Sequence, residues 1–274
     1  MLIAACRLDQ VGLAYRDVAR ILNFPEDVFA VKSVDRELSR PYLDSARILD
    51  VGGASGIDAI PMSSIAKSVV VLDLNLNGLV LGKRLACELS CGEKVHFVFA
   101  SGEKLPFTEA SFNLLTCFSA LDHFPNATSV AASIREFRRI LVLGGHAIIT
   151  VPNMLCLPVT VLTAVKRRLR EVSEVHRFTP KELYFLLESN HLTPIRYASA
   201  SPTEIKGPLM RYLLPSGAQM LTRDKVAKVF VSCLFRITRS LFASVFLRPR
   251  FGIVGINNST KVIIPERSKN LFRL

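Results

Sequence analysis

Residues 48–60 read ILDVGGASGIDAI and decide the fold class of this chain. The first letters form a short apolar run typical of a buried strand, and the last letters begin a stretch typical of a helix. Between them lie Gly52, Gly53 and Gly56, and glycine permits both a tight turn and the close approach of backbone to a ligand. The stretch therefore predicts the first strand, turn and helix of an α/β sheet.

The same alternation of apolar runs and amphipathic stretches continues beyond this turn. Continuously apolar strands suit a sheet that is covered on both faces. A strand–helix–strand rhythm implies parallel neighbours joined by right-handed crossovers, so we expect a doubly wound, mostly parallel sheet. The expected strands are 47–51, 68–74, 95–100, 112–118 and 146–151, and the expected helices include 77–89 and 127–141.

A further helix and strand are predicted after residue 177. The segment FTPKELYFLLESN (178–190) has Thr179 as a candidate N-cap and Pro180 at the first helical position. Glu182 lies three residues after the cap, which is the spacing of a capping box. Residues 194–200 predict a strand.

The glycine turn departs from the G-x-G-x-x-G pattern of dinucleotide sites and reads D-x-G-x-x-x-G, from Asp50 through Gly52 to Gly56. An acid at that place would repel a pyrophosphate and suits a cationic or ammonium group. Asp73 ends the second expected strand, where a carboxylate can accept hydrogen bonds from both ribose hydroxyls. The pattern indicates a nucleoside with a cationic tail and no phosphates; the alternative is a structural turn without a ligand.

Four blocks of sequence resemble the class I S-adenosylmethionine-dependent methyltransferases, and more narrowly the type-11 group that includes ubiquinone- and menaquinone-biosynthesis enzymes. ILDVGGASG is similar to the first motif of the family, and VVVLDLN supplies its ribose-binding acid. ASGEKLPFTEASFNLLTCFSALDHF is similar to the run from the third strand through the fourth, and EFRRILVLGGHAIITVPN to the following helix and fifth strand. The resemblance covers roughly residues 45–200.

This resemblance implies a seven-stranded Rossmann-like sheet in the order 3-2-1-4-5-7-6, with an antiparallel seventh strand that we expect at 260–265. It also implies S-adenosylmethionine as the cofactor. Asp73 would bind its ribose, Leu74 would pack near the adenine, the 101–103 turn would reach the adenine edge, and the backbone around 117–119 would close the pocket. The expected cofactor-binding set is Asp50, Gly52, Gly53, Ala54, Gly56, Asp73, Leu74, Ser101, Gly102, Glu103, Cys117 and Phe118.

Methyl transfer from a sulfonium requires alignment of the acceptor and, for some acceptors, removal of a proton. Candidate bases are His123, which follows the fourth expected strand, and His176, which precedes the helix at 180; both have a structural reading as well, and Asp122 is a third candidate that also suits a helix cap. The place where amide and base N-methyltransferases carry an N/D-P-P-Y type motif reads FSAL here. An oxygen or carbon acceptor is therefore expected.

Charge is concentrated in the last part of the chain. Residues 200–274 carry 13 basic and 3 acidic side chains, which is +10 of the total +12. A basic stripe recurs at helical spacing in this region and could face anionic lipid, with 223–250 lying in the membrane interface. The alternative is a cap that packs its apolar side on the domain and covers a small or lipid-like acceptor. The stripe consists of Lys225, Lys228, Ser232, Arg236 and Arg239.

The expected organisation has four parts. These are an N-terminal helical segment (1–46), the cofactor-binding core (47–201), a basic amphipathic helical insertion before the last strand (202–250), and the final strand with a C-terminal tail (251–274). The start MLIAAC lacks the basic lead and apolar stretch of a signal peptide, so we expect a cytoplasmic protein, with peripheral contact to membranes as an extension.

Three functions are open at this point. The first is a methyltransferase acting on a small or lipid-like acceptor. The second is a non-catalytic binding protein on the same fold, favoured by Ala54 where the family has glycine and by Ser101 where it has aspartate. The third is an RNA methyltransferase, which the charge permits, although the sequence contains no recognisable RNA-binding module and nucleic acid is an unfavoured partner. The six cysteines lack the spacing of a zinc site, and no metal is expected.

Overall fold

A computed structural model describes residues 33–156, 178–199 and 250–258. Seven strands in these ranges form one sheet in the order β3-β2-β1-β4-β5-β7-β6, which confirms the predicted fold class and strand order. The strands are β1 (Arg47–Val51), β2 (Ser68–Asp73), β3 (Val95–Phe99), β4 (Phe112–Phe118), β5 (Leu141–Pro152), β6 (Leu192–Ser199) and β7 (Arg250–Asn257).

The first five strands pair in parallel, and β7 pairs antiparallel with both β5 and β6. The α-helices of the described ranges connect or flank these strands, and two short 3₁₀ turns at Arg40–Tyr42 and Leu121–His123 accompany them. The helices are α1 (Ser33–Ser39), α2 (Ala59–Met62), α3 (Leu76–Glu88), α4 (Ala127–Ile140) and α5 (Pro180–Ser189).

Helices cover both faces of the sheet, as the continuously apolar strands predicted. On one face α4 and α5 bury residues such as Phe137 and Leu187 against the strands. On the other face α1, α2 and α3 do the same with residues such as Leu38 and Leu79. The sheet is therefore the middle layer of three, and its strand ends are the edges where a ligand can approach backbone.

Side-chain caps fix the beginnings of α3, α4 and α5. Asn75 accepts from the N–H of Gly78 at the start of α3, and Asn126 accepts from the N–H of Ser129 at the start of α4. At α5 the predicted capping box is confirmed: Thr179 Oγ1 accepts from the N–H of Glu182, and the Glu182 carboxylate accepts from the N–H of Thr179.

The predicted position of the seventh strand is wrong. We expected it at 260–265, but β7 occupies Arg250–Asn257 and begins at the last residue assigned to the insertion. Gly252 and Gly255 interrupt the apolar pattern there and weaken the strand signal. The packing explains Gly252, because a Cβ at this residue would overlap Leu38 of α1 and Thr150 of β5.

Several predictions fall on residues outside the described ranges. These are the early part of the N-terminal segment (1–32), His176, the insertion with its basic stripe (202–249) and the strand proposed at 260–265. Within the described ranges, none of the helices combines the length and the hydropathy that a bilayer span requires.

Candidate functional site

A cavity of about 380 Å³ opens at the carboxyl ends of β1, β2, β3 and β4. This is the edge of an open parallel sheet at which ligands bind, and the volume lies within the range of small-molecule sites. The cavity is lined by Val51, Gly52, Leu72, Asp73, Leu74, Ala100, Ser101, Gly102, Glu103, Ser119, Ala120, His123, Phe124 and Pro125.

Gly52 forms the floor where β1 turns toward α2. Its φ is +74°, a conformation that favours glycine, and its N–H donates to the carbonyl of Leu72 at 2.7 Å. A Cβ at Gly52 would overlap the Cβ of Ala120 on the opposite wall. The glycine therefore keeps the gap between the β1 turn and the β4 turn open.

Asp73 presents a fixed carboxylate at the end of β2. Its Oδ2 accepts from the N–H of Ala54 at 2.8 Å, and its Oδ1 accepts from the N–H of Asn75 at 2.7 Å. A carboxylate offers about four acceptor positions, so two remain for a ligand. Two amides thus hold the carboxylate in one orientation toward the cavity.

The loop after β3 supplies the third wall. Ser101 Oγ accepts from the N–H of Glu103 at 3.2 Å, which closes a short turn. A Cβ at Gly102 would lie 2.8 Å from Cζ of Phe124, so a larger residue there would require that ring to shift. Leu74 faces the cavity from the other side with 62% of its surface exposed, which leaves an apolar surface beside the loop.

Asp50 lies beneath the turn rather than on the cavity surface. It is buried, and its Oδ1 accepts from the hydroxyl of Thr116 on β4 at 2.7 Å. A Cβ at Gly53 would overlap Asp50 Oδ2, so the turn packs directly on this carboxylate. Asp50 therefore joins the end of β1 to β4 and shapes the turn from below.

His123 and Asp122 follow β4 at the mouth of the cavity. The His123 ring is 60% exposed, and its Nε2 is 3.8 Å from Oδ2 of Asp122, whose side chain is only 3% exposed. Burial raises the pKa of Asp122, while the nearby His123 and Arg250 act in the opposite direction. Among the described residues, Oδ1 of Asp122 receives no hydrogen bond.

Cys117 is not suited to nucleophilic chemistry. Burial raises the pKa of its thiol, and the negative charges of Asp50 and Asp122 raise it further. The thiolate is the reactive form of cysteine, so this side chain stays protonated and packs in the core.

Residues 49–149, which contain the glycine turn and all the cavity walls, match a family model described as "Methyltransferase domain". This domain belongs to the type-11 group of the class I S-adenosylmethionine-dependent methyltransferases.

Curated relatives of the methyltransferase domain carry the name ubiquinone/menaquinone biosynthesis C-methyltransferase. The protein from Stenotrophomonas maltophilia strain R551-3 is 30% identical over 146 residues, which is 50% of this chain and 56% of that protein. The one from Bartonella quintana strain Toulouse is 32% identical over 112 residues, which is 40% of this chain and 42% of that protein. The chain thus spans about half the length of the curated relatives it matches.

Solved structures show the same fold at lower identity. The geranyl diphosphate C-methyltransferase of Streptomyces coelicolor A3(2) superposes with a TM-score of 0.58 at 15% identity, over 82% of this chain and 79% of that one. The YcgJ protein of Bacillus subtilis superposes with a TM-score of 0.56 at 20% identity, over 84% of this chain and 99% of that one. At these identities the likeness shows the fold alone.

The methyltransferase domain brings half of the predicted cofactor residues to one cavity. Gly52, Asp73, Leu74, Ser101, Gly102 and Glu103 line it, together with the candidate base His123. The other half does not reach the cavity surface, and consists of Asp50, Gly53, Ala54, Gly56, Cys117 and Phe118.

Two physical reasons explain why these six residues do not line the cavity. The turn residues lie behind Gly52 and interact with the ends of strands, as Ala54 does with Asp73. On β4 both Cys117 and Phe118 are buried in the core, and the wall is formed by Ser119 and Ala120 instead.

Sequence reasoning expected the backbone around 117–119 to close the pocket, which includes Ser119, but it missed Ala120, Phe124 and Pro125. Ser119 has φ +52° and donates its N–H to the carbonyl of Thr150 at 2.8 Å, so the chain turns there and exposes Ala120. Phe124 and Pro125 complete this side. A serine with positive φ has no distinctive sequence signal, whereas the Phe124-Pro125 pair marks the end of the 3₁₀ turn and was an available sign.

Proposed function

We propose that this protein transfers the methyl group of S-adenosylmethionine to an oxygen or carbon atom of a small or lipid-like acceptor. The observation that carries the proposal is the carboxylate of Asp73, held by two amides at the mouth of a cavity whose floor is Gly52. A rigid acceptor pair at the end of β2 suits the two hydroxyls of a ribose.

The residues of the cavity fit this cofactor and disfavour a dinucleotide. Asp73 and Glu103 line the cavity, and Asp50 lies beneath the turn, so the site is acidic. A pyrophosphate would be repelled there, whereas a sulfonium and an ammonium group would be attracted. Gly52 and Gly102 both stand where a Cβ would occupy the space between walls.

Each wall has a proposed task. Asp73 accepts the ribose hydroxyls, Leu74 packs its exposed side chain on the adenine, and the Ser101–Glu103 turn meets the adenine edge. Asp50 and its neighbours in the turn were expected at the methionine end; we now propose that Asp50 shapes the turn through Thr116 and acts on the cationic end only through its charge.

The bound cofactor supplies an activated methyl group, so the protein has to align the acceptor and remove a proton from it. We propose His123 as the base, because its exposed ring lines the cavity and Asp122 lies 3.8 Å behind it. His176 lies outside the described residues and stays a second candidate.

The acceptor class follows from two features. Relatives that are about 30% identical are named C-methyltransferases of ubiquinone and menaquinone biosynthesis, which favours a carbon atom on an apolar acceptor. The segment 200–274 carries a net charge of +10, which favours contact with an anionic membrane where such an acceptor would reside.

The test for catalysis uses S-adenosylmethionine with an isotopically labelled methyl group. The full chain is incubated with this cofactor and a lipid extract, and labelled products are sought by mass spectrometry. A labelled lipid formed by the wild type but not by His123→Ala supports both the reaction and the base. Cofactor binding without any labelled product, in lipid and metabolite extracts alike, would favour the non-catalytic alternative; a labelled RNA would favour the third function.

The test for membrane contact uses flotation with vesicles. Replacing Lys225, Lys228, Arg236 and Arg239 by glutamine should release the full chain from vesicles rich in anionic lipid. A matched control replaces four exposed basic residues of the methyltransferase domain, namely Lys83, Arg84, Arg135 and Arg138. Equal flotation of both variants, or salt-insensitive absence of the wild type from the vesicles, would contradict this part of the proposal.

A further inference from the structure

Two charged side chains of α4 form a tight pair one helical turn apart. Arg139 donates from Nε to Oε1 of Glu136 and from Nη2 to Oε2, both at 2.7 Å. This is the two-pronged geometry in which an arginine–carboxylate pair is strongest. The side chains are only 29% and 20% exposed, so the pair is partly shielded from solvent.

The same two side chains bind the backbone of the loop after β3. Glu136 Oε2 accepts from the N–H of Leu105 at 2.8 Å. Arg139 donates to the carbonyl of Phe107 at 2.8 Å and to that of Leu105 at 3.1 Å. We call Glu136 and Arg139 together the loop clamp, because they satisfy three backbone groups of one loop.

The clamped loop is continuous with a wall of the cavity. Lys104 alone separates Glu103, which lines the cavity, from Leu105, which the clamp holds. The N–H of Lys104 also bonds the carbonyl of Ser101 at 3.2 Å, so the wall and the clamped residue belong to one short turn. The side chain of Leu105 is buried in the core, which gives the turn a second anchor.

We propose that the loop clamp is a positioning device that sets the affinity of the cavity for the adenine half of the cofactor without touching it. This inference rests on the proposed function, since it concerns the same cavity. A wall that is already ordered loses less conformational entropy when a ligand binds, so the clamp raises affinity by preorganisation. The pair is neutral as a whole and adds no net charge to the site.

The clamp is tested by substitutions that keep its size but break its geometry. Glu136→Gln replaces one acceptor by a donor. Arg139→Lys has three N–H donors on one nitrogen and cannot reproduce the four hydrogen bonds that Arg139 makes from three nitrogens. Each should weaken the binding of S-adenosylhomocysteine by roughly 2- to 30-fold at a temperature well below unfolding, as expected for residues that act through others. The matched control is Arg138→Ala, an exposed arginine on the same helix, with unchanged affinity.

A second ligand, adenosine, tests whether the lost affinity concerns the adenosine part of the cofactor or its amino-acid tail. Adenosine lacks the amino-acid tail, and its affinity should fall by the same factor as that of S-adenosylhomocysteine in each clamp variant. Because the two side chains act as one unit, the double variant should lose little more affinity than either single variant.

A readout of local opening distinguishes positioning from a general loss of stability. Amide hydrogen exchange should accelerate in the clamp variants at Leu105, whose N–H donates to Glu136. It should stay unchanged in the central strands β1 and β4. Exchange that accelerates everywhere in the folded protein would overturn the inference, because the loss of affinity would then reflect general destabilisation.

The outcomes are separable from those of the proposed function. If the wild type binds no S-adenosylhomocysteine, the proposed function fails. If the wild type binds it and the folded clamp variants bind it equally well, the proposed function stands and the role of the loop clamp is wrong. Should one variant fail to fold, the other decides, because each breaks a different part of the clamp.

Discussion

The N–H of Ala54 donates a hydrogen bond of 2.8 Å to Oδ2 of Asp73 and so ties the turn after β1 to the end of β2. Ala54 has φ +48°, a left-handed conformation that aims its N–H at the neighbouring strand. Its side chain is not part of the cavity lining. Ala54, which stands where the family has glycine, thus acts through its backbone. Its N–H helps to hold the orientation of the Asp73 carboxylate.

The left-handed conformation makes Ala54→Gly a stabilising change. Glycine adopts positive φ without the steric cost that alanine has, so we expect the free energy of unfolding to rise by about 1 kcal/mol. Affinity for the cofactor should persist, because the N–H remains. Ala131→Gly, in the interior of α4, should lower the free energy by about 1 kcal/mol. Urea denaturation compares the two, and an equal loss in both would contradict the account.

Gly52 and Gly144 allow the cost of a left-handed backbone to be measured separately from the cost of a steric clash. Their φ values are +74° and +79°, but a Cβ would overlap Ala120 at Gly52 and would meet nothing within 4 Å at Gly144. Gly144→Ala should cost about 1–2 kcal/mol from strain alone. Gly52→Ala should cost a further 1–3 kcal/mol or so, because the walls must move apart, and should also weaken cofactor binding. Equal melting temperatures of the two variants in thermal unfolding would show that the gap between Gly52 and Ala120 has room for a Cβ.

Thr116 and Asp50 are a buried pair beneath the turn. Removing the hydroxyl that donates to Oδ1 of Asp50 leaves a buried charged group with one partner fewer, which costs about 1.5–3 kcal/mol. We therefore expect Thr116→Val to lower stability by that amount and Thr116→Ser, which keeps the hydroxyl, to lower it less. Chemical denaturation measures both, and equal losses would mean that the hydrogen bond contributes little.

His146 gives the fold a dependence on pH. Its ring stacks on Tyr42 with the centroids 4.1 Å apart, and burial lowers its pKa below the ordinary value near 6.5. The unfolded chain then takes up the proton first as the pH falls. The free energy of unfolding that neutral His146 contributes is fully present above about pH 6.5. It is lost as the pH falls through the lower pKa of the folded state.

The variant His146→Phe keeps an aromatic ring and removes the titrating group. Its melting temperature should fall less than that of the wild type between neutral and mildly acidic pH, because the other titrating groups are common to both. Identical pH profiles would show that the protonation of His146 does not influence folding.

The sequence was informative where local chemistry decides structure. Apolar runs located the parallel strands, and Thr179 with Glu182 located the start of α5, because strand burial and capping leave direct patterns. The position of β7 was not predicted, because Gly252 interrupts its apolar pattern. That glycine is required by packing against Leu38 and Thr150, which are distant in sequence.

The candidate site divides in the same way. Asp73 and Gly52 were predictable, since their positions at strand ends follow from the alternation. The wall at Ser119 and Ala120 depends on the hydrogen bond from Ser119 to Thr150 of β5. The contact of Glu136 with Leu105 depends on how the loop after β3 meets α4. No short pattern records such a long-range contact.

The central claim is that the cavity binds S-adenosylmethionine through Asp73, and a calorimetric titration tests it most directly. The wild type should bind the cofactor saturably. Asp73→Ala should bind it about 100-fold more weakly while remaining folded, because two hydrogen bonds to a charged group are lost. The exposed Asp44→Ala serves as the control and should match the wild type. Absence of binding by the wild type, or undiminished affinity of Asp73→Ala, would contradict the account.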